Sequence, residues 1–368
     1  MLLLAGFLPS ALRGQADFGA FYVGGYMVRA GLGHQLYDYG VEKQFQTALV
    51  TTTPAPYIHL PYEALLFAPL SALSYRTAFL TFFCLNCVLA FFSFRAIRIG
   101  SDFQSAALLF FSYMPLGAAL ADGQDSILML AITATSWWLL RRGNELSAGA
   151  VLALGLFRFQ LLIPIAVLFL LWRRWGFVLG FFVSSIVVLI GSVVMVGTSQ
   201  MRLYFTHLLS MSVSQQEAVY TQPTARMVNI RGLVASAFPA SHSAVQLITL
   251  TCSIALLIWT FRRARSLTSS EQFALAVCGS VLVSYHLFVY DLSIVAIPMI
   301  MSFTLVDKRH SIQLGAAVLI TLLAAPTLLL GNLLFLMALP LFAFMLAFSV
   351  ALTDPLDVES TASRPGGL

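Results

Sequence analysis

From Thr77 to Phe94 the chain runs through eighteen residues without a single charge, and comparable apolar runs recur along its length. A helix that crosses a bilayer needs about 20 predominantly apolar residues. In hydrocarbon, every backbone N–H and C=O must be bonded inside the protein, so runs of this length are read as helices. The runs fall at 76–97, 103–121, 125–140, 146–172, 176–197, 243–261, 271–289, 291–306, 312–329 and 331–350. The expected fold is an all-α polytopic membrane protein, a multi-helix bundle of about 10–12 membrane segments with external interfacial helices. A single domain is expected over residues 1–352, followed by a short, polar, disordered tail at 353–368. Composition agrees: 10% of the residues are charged, against about 25% in soluble domains.

The basic residues set the orientation. Arg95/Arg98, Arg141/Arg142, Arg173/Arg174, Arg262/Arg263/Arg265 and Lys308/Arg309 mark alternate turning points, and the positive-inside rule assigns such turns to the cytoplasm. The net charge of +5 is therefore a topology signal, and no nucleic-acid partner is expected. The loop 13–62, the tip Asp122–Asp125, the interval 198–242 with Gln215, Gln216 and Glu217, and the turn at Tyr290–Asp291 then share the outer face. In a bacterium this describes a multi-pass inner-membrane protein with its site on the extracytoplasmic face. The arrangement requires residues 146–172 to enter and leave on the cytoplasmic side, with arms of about 12 residues, or about 18 Å. Such a broken hairpin, its tip near Arg158, is tolerated only where buried in protein or facing water. Met1–Leu12 is apolar but about half the length of a span and lacks a basic leader. It reads as the end of a first membrane helix that starts upstream. Residues 18–32 read as an amphipathic helix lying in the interface, with Phe18, Phe21, Tyr22, Gly25 and Tyr26 on one side.

Polar residues collect on the outer face: Asp17, His59, Glu63, Asp122, Gln124, Arg226, Arg231, His286, Tyr290 and Asp291, with Arg158 approaching from within the membrane. Asp17 is read two ways, as a solvated or helix-capping acid or as a site carboxylate. Asp122 and Asp125 flank Gly123, and Asp125 in particular reads as a turn residue. Arg226 and Arg231 also fit a solvated loop. Arg158 is harder to set aside, because an ionisable group inside the membrane marks a functional site by default. Ser284–Asp291 interrupts two apolar runs with His286 and Asp291 five positions apart. Cys84, Cys87, Cys252 and Cys278 all lie in apolar runs and read as packing residues. No Walker A, dinucleotide-binding, G-x-S-x-G or H-E-x-x-H motif is present.

Four stretches together resemble glycosyltransferase family 87, membrane mannosyltransferase-like proteins of the GT-C superfamily. They are Asp17-Phe-x-x-Phe-Tyr22-x-x-Gly25 with Gly33, Leu36-Tyr37-Asp38 and Gln44; Pro61-Tyr62 to Leu73; Asp122-Gly-Gln124; and Ser284-Tyr-His286 to Tyr290-Asp291-Leu292. Around Arg158 the family leads one to expect Lys-Pro, where this chain has Arg158-Phe159. The resemblance implies a GT-C-like bundle, a polyprenyl-phosphate sugar donor (usually mannose), and an inverting transfer to a lipid or glycan acceptor. It also implies that the acid after the first membrane helix is the base, the position matched by Asp17. On this reading Arg158, His286, Tyr290, Asp291, Gln124, Arg226 and Arg231 hold the donor's phosphate and sugar. Tyr22, Tyr37, His59, Tyr62 and Asp122 support the loop or the acceptor. Neither a metal nor a separate cofactor is expected, since the activated donor arrives lipid-linked. The alternative is a transporter or lipid-carrier flippase, in which broken helices and a buried Arg also occur. Against it, no internal repeat is visible and the polar residues gather on one face.

Overall fold

The structure is a computed structural model, described here over residues 8–50, 55–98, 103–213, 224–304 and 333–353. The expected span 312–329, the turn at Lys308/Arg309, the run Gln215–Glu217, the first residues of Met1–Leu12 and the tail after Thr353 lie outside the described residues. Among those residues every regular element is a helix.

The external part comes first. Helix α1 (Phe18–Arg29) is followed by α2 (Tyr39–Leu49), which starts at Asp38, whose carboxylate accepts from the Gly40 and Val41 N–H groups. Helix α3 (Pro61–Phe67) opens on a proline, which loses nothing at a position whose N–H is unpaired anyway. The membrane helices follow: α4 (Tyr75–Ile97), α5 (Phe103–Ser112), α6 (Met114–Asp122), α7 (Ser126–Arg141), α8 (Glu145–Ala153), α9 (Phe159–Leu171) and α10 (Trp175–Val213). After α11 (Ile230–Ala237) come α12 (His242–Ala264), α13 (Ser269–Val283), α14 (Ala296–Thr304) and α15 (Ala338–Thr353). Among the described residues four helices are long and apolar enough to cross a membrane, or six if the bent pairs α5–α6 and α8–α9 each count as one span. Helices α10 and α12 turn ridges of Leu, Ile, Val and Phe outward, among them Phe182, Ile190, Val194, Leu247, Leu250 and Ile254. These exposed apolar faces fit a lipid-facing wall.

Two expectations change in detail. The apolar run 103–121 is broken by 51° at Tyr113, just before Pro115. Helix α1 does not lie with one face in the interface: Phe18, Phe21, Tyr22, Val23 and Met27 are all buried. It is wrapped by α3, α4 and the loop, because Val23 and Met27 put buried apolar side chains on the side opposite the aromatic residues.

The buried side chains form two clusters. One joins α1, the loop to Leu60, α3, the first half of α4 and the Val196–Tyr204 part of α10. The other joins the rest of α4 with α5–α9 and α13–α15. Tyr62 and Phe181 pack against both.

Three of the basic turns, those after α7, α9 and α12, meet at one end of the bundle. Arg174 approaches Glu145 at 3.5 Å and donates to Gln272 at 2.9 Å and to the Leu267 carbonyl at 3.3 Å. Trp172 donates to the Phe261 carbonyl, and Trp137 to that of Ser270. The two ends of the broken segment 145–171 therefore lie together, and its tip at Arg158 reaches back toward the other end. Close helix contact makes this possible. A Cβ on Gly149 would stand 1.9 Å from the Phe177 carbonyl oxygen, and one on Gly180 equally close to that of Leu146. Small residues permit such approach where apolar driving force between helices is absent.

Candidate active site

The polar residues meet where the two apolar clusters abut, and the local chain explains how each one gets there. Helix α6 ends on Gly123 in the left-handed conformation, φ +60°. A Cβ there would lie 2.8 Å from Phe18 Cβ and 2.9 Å from the Phe79 ring. The turn thus sits directly on Phe18 and delivers Gln124 to its neighbour. Gln124 donates from Nε2 to Asp17 Oδ2 at 2.5 Å. Its Oε1 accepts from Arg158 Nη2 at 2.9 Å.

Arg158 occupies the break between α8 and α9 and is 5% exposed. Its Nε donates to both Asp125 oxygens at 3.1 Å, its Nη2 also pairs with Asp125, and Nη1 meets Asp291 Oδ1 at 3.1 Å. The Tyr290 ring lies under the guanidinium, 5.5 Å from its carbon. Tyr62 closes the break by donating to the Leu154 carbonyl at 2.8 Å and accepting from the Phe157 N–H at 3.0 Å. Asp291 accepts from the Phe288 N–H at 2.9 Å and from Ser126 Oγ at 3.2 Å. Asp125 does lie in the turn before α7, but its carboxylate has a further role. It is fully buried and is the main counter-ion of Arg158, 33 positions away in sequence.

On its other side Asp125 Oδ2 lies 3.3 Å from His59 Nδ1, which lies 2.8 Å from Glu63 Oε2. Neither approach has hydrogen-bond geometry at Nδ1, and Glu63 Oε1 has no partner among the described residues. Tyr57 hydroxyl donates to Glu63 Oε2 at 3.3 Å, and Tyr37 hydroxyl donates to the His59 carbonyl at 2.5 Å. Sequence reading named Glu63 without giving it a role. The spacing His59-x-x-x-Glu63 across Pro61 was the available signal, since it places both on one side of a helix start.

Asp17 stands apart from these buried acids. Its position precedes α1, yet it makes no capping bond, so the capping reading does not hold. Asp17 is exposed, whereas Glu63, Asp125 and Asp291 are buried. Burial raises its pKa above the ordinary value, an effect reduced by Arg158, His59 and the Gln124 bond and reinforced by Asp125. Asp122 is close enough for its charge to act on that of Asp17. Burial disfavours the charged His59 ring, but Glu63 and Asp125 outweigh it and raise the ring to about 9. Burial also raises Glu63 to about 7 against the pull of His59. Burial would raise Asp125 too, yet Arg158 and His59 hold it well below the carboxylate range.

The remaining residues lie around this network. Burial, with Arg158, Arg231 and His59 nearby, pushes His286 down to about 3, so it is a neutral ring at pH 7. Arg231 is 6% exposed, donates to the Tyr285 carbonyl at 3.0 Å and stacks 3.7 Å from that ring. Among the described residues it faces no carboxylate. Arg226 is exposed and outside the network. Tyr22 donates to the Leu73 carbonyl at 2.8 Å, tying α1 to the turn before α4.

A family model described as Glycosyltransferase family 87 matches residues 57–289. The matched stretch contains His59, Glu63, Gln124, Asp125, Arg158, Arg231 and His286, while Asp17, Tyr290 and Asp291 lie outside it. No curated protein and no solved structure matches the chain.

Proposed function

Since the chain belongs to glycosyltransferase family 87, matched over more than half its length, it is a membrane glycosyltransferase, and we propose that it transfers a hexose, mannose above all, from a polyprenyl-phosphate donor to a lipid or glycan hydroxyl with inversion at the anomeric carbon. The proposed site faces the extracytoplasmic side, opposite the gathered basic turns. Family membership leaves the transporter reading without support.

One observation carries the mechanism: an accessible carboxylate, Asp17, is held through Gln124 by the buried Arg158. Gln124 bonds Oδ2 and thereby fixes the carboxylate plane. Oδ1 has no partner among the described residues and is free to accept a proton. The acceptor hydroxyl attacks the anomeric carbon from the face opposite the phosphate, and its proton passes to Asp17 Oδ1 as the new C–O bond forms. The bond from the anomeric carbon to the phosphate oxygen breaks, and its electron pair leaves with the polyprenyl phosphate. This leaving group needs charge stabilisation rather than a proton. The charge of Arg158 is already matched by Asp125 and Asp291, so Arg158 orients Gln124. The groups left for the phosphate are Arg231 and the neutral His286.

The test is transfer by purified protein in nanodiscs, offered polyprenyl-phosphate mannose, glucose and a pentose, with nucleotide sugars as controls. Product of inverted configuration from a polyprenyl donor supports the reading. Transfer from a nucleotide sugar alone would overturn it.

A further inference from the structure

We propose that His59, Glu63 and Asp125 form a binding site for one divalent first-row transition cation beside the transferase site. The three donors lie within 4.8 Å of one another. His59 Nδ1 stands 2.8 Å from Glu63 Oε2 and 3.3 Å from Asp125 Oδ2. Metal–ligand bonds of about 2.0–2.2 Å hold neighbouring donor atoms about 3 Å apart, so both spacings are those of atoms around a common ion. Only a small closing of the two carboxylates is needed.

Two further observations point to a ligand rather than to a self-satisfied cluster. Glu63 is fully buried, and one of its carboxylate oxygens meets no donor among the described residues. A buried acceptor left this way is rare in native proteins. His59 Nδ1, in turn, comes close to two carboxylates without aiming an N–H at either. A cation held by His59 Nδ1, by Asp125 Oδ2 and by both Glu63 oxygens satisfies all of them at once.

The surroundings hold the donors in place. Asp125 is gripped by Arg158, Glu63 by the Tyr57 hydroxyl, and the His59 backbone by Tyr37. Outer partners of this kind orient metal ligands. One imidazole with two carboxylates favours Mn²⁺ or Zn²⁺ over Mg²⁺ or Ca²⁺, which take oxygen ligands.

The experiment is a Mn²⁺ titration of the purified full chain followed by electron paramagnetic resonance. We expect one tightly held ion per chain, displaced by Zn²⁺, with hyperfine coupling to one imidazole nitrogen. Even the loss of outer partners costs 10–100-fold in affinity, so His59→Ala and Glu63→Gln are expected to weaken binding by more than about 100-fold. Asp17→Asn should leave it intact. No stoichiometric Mn²⁺, or a bound ion lacking nitrogen coupling in the unaltered protein, would sink the site and leave a protonated His59 bridging the two acids. Binding unchanged in both variants would do the same. Because the readout is the ion, a protein that transferred no sugar would count against the proposed reaction and not against this site.

Discussion

Asp17 differs from the acids around it in what is left open on its carboxylate. Asp125 and Asp291 are tied to Arg158, and Glu63 to His59 and Tyr57. Asp17 spends one oxygen on Gln124 and leaves the other without a partner among the described residues, on an exposed side chain. Asp17→Asn keeps the shape and removes the proton acceptor, and loss of a general base costs about 10²–10⁴ in rate. Turnover is expected to fall by that factor while donor binding, measured by retention of radiolabelled lipid, persists. Normal turnover in Asp17→Asn, with loss in Asp122→Asn, would move the base to Asp122.

A second acid governs the external loop. Glu42 is buried and its Oε1 accepts from the Tyr57 N–H and from Gln46, both at 2.7 Å. Burial raises its pKa to about 8, despite the lowering effect of those two bonds. The folded loop thus holds a proton that the unfolded one releases near 4.5. Its contribution to stability is complete below pH 4.5, declines as pH rises toward 8, and is level above that. Protection of the Ala55 and Tyr57 amides, taken relative to their intrinsic exchange rates at each pH, is expected to fall across that window, and Glu42→Gln to flatten the dependence. An unchanged slope in the variant would assign the effect to another group.

Among the elements, the turn after α6 carries the most constraint in the fewest residues. Gly123→Ala forces a Cβ into the left-handed region and against Phe18 and Phe79. Backbone strain alone costs about 1–3 kcal/mol. The variant should show a lowered Tm and a displaced Gln124, hence weaker transfer even where folded. A Tm equal to that of the parent would contradict the packing described. Most element positions were legible in the sequence, because a run such as 77–94 admits little besides a helix. Even the end of the run 176–197 coincides with a real break: Gly197, at φ +84°, interrupts α10, which then continues to Val213. Asp125 was not legible. An acid two residues after a glycine reads locally as a turn, and its partner lies on a different helix pair. Nor was Glu42, whose role depends on a backbone N–H brought in from fifteen positions away.

At the scale of the whole molecule, the site and the basic turns lie at opposite ends. Helix α7 separates them: it starts beside Asp125 and its sixteen residues extend about 24 Å to Arg141. Single cysteines at the exposed positions His34 and Asn144, in a background without the native cysteines, test the orientation. An impermeant thiol reagent on intact cells is expected to label the first and not the second. The reverse pattern would turn the protein over in the membrane.

The spread of the central charges along the chain also bears on biogenesis. The ribosome delivers Asp125 before Arg158, and Arg158 well before Asp291, so for a time each enters the bilayer without its counterpart. Insertion of these segments cannot be finished one by one; the nascent protein must keep α6–α9 loosely assembled until α13 and the turn that follows it arrive. In Arg158→Leu the wait never ends, since two acids are left buried with no guanidinium, and removing one partner from a buried ion pair costs about 3–5 kcal/mol. The expected phenotype is clearance by membrane proteases, seen as a shortened pulse-chase half-life, with Arg158→Lys partly restoring it. A long-lived but inactive Arg158→Leu protein would show instead that the guanidinium serves the reaction and not the making of the molecule.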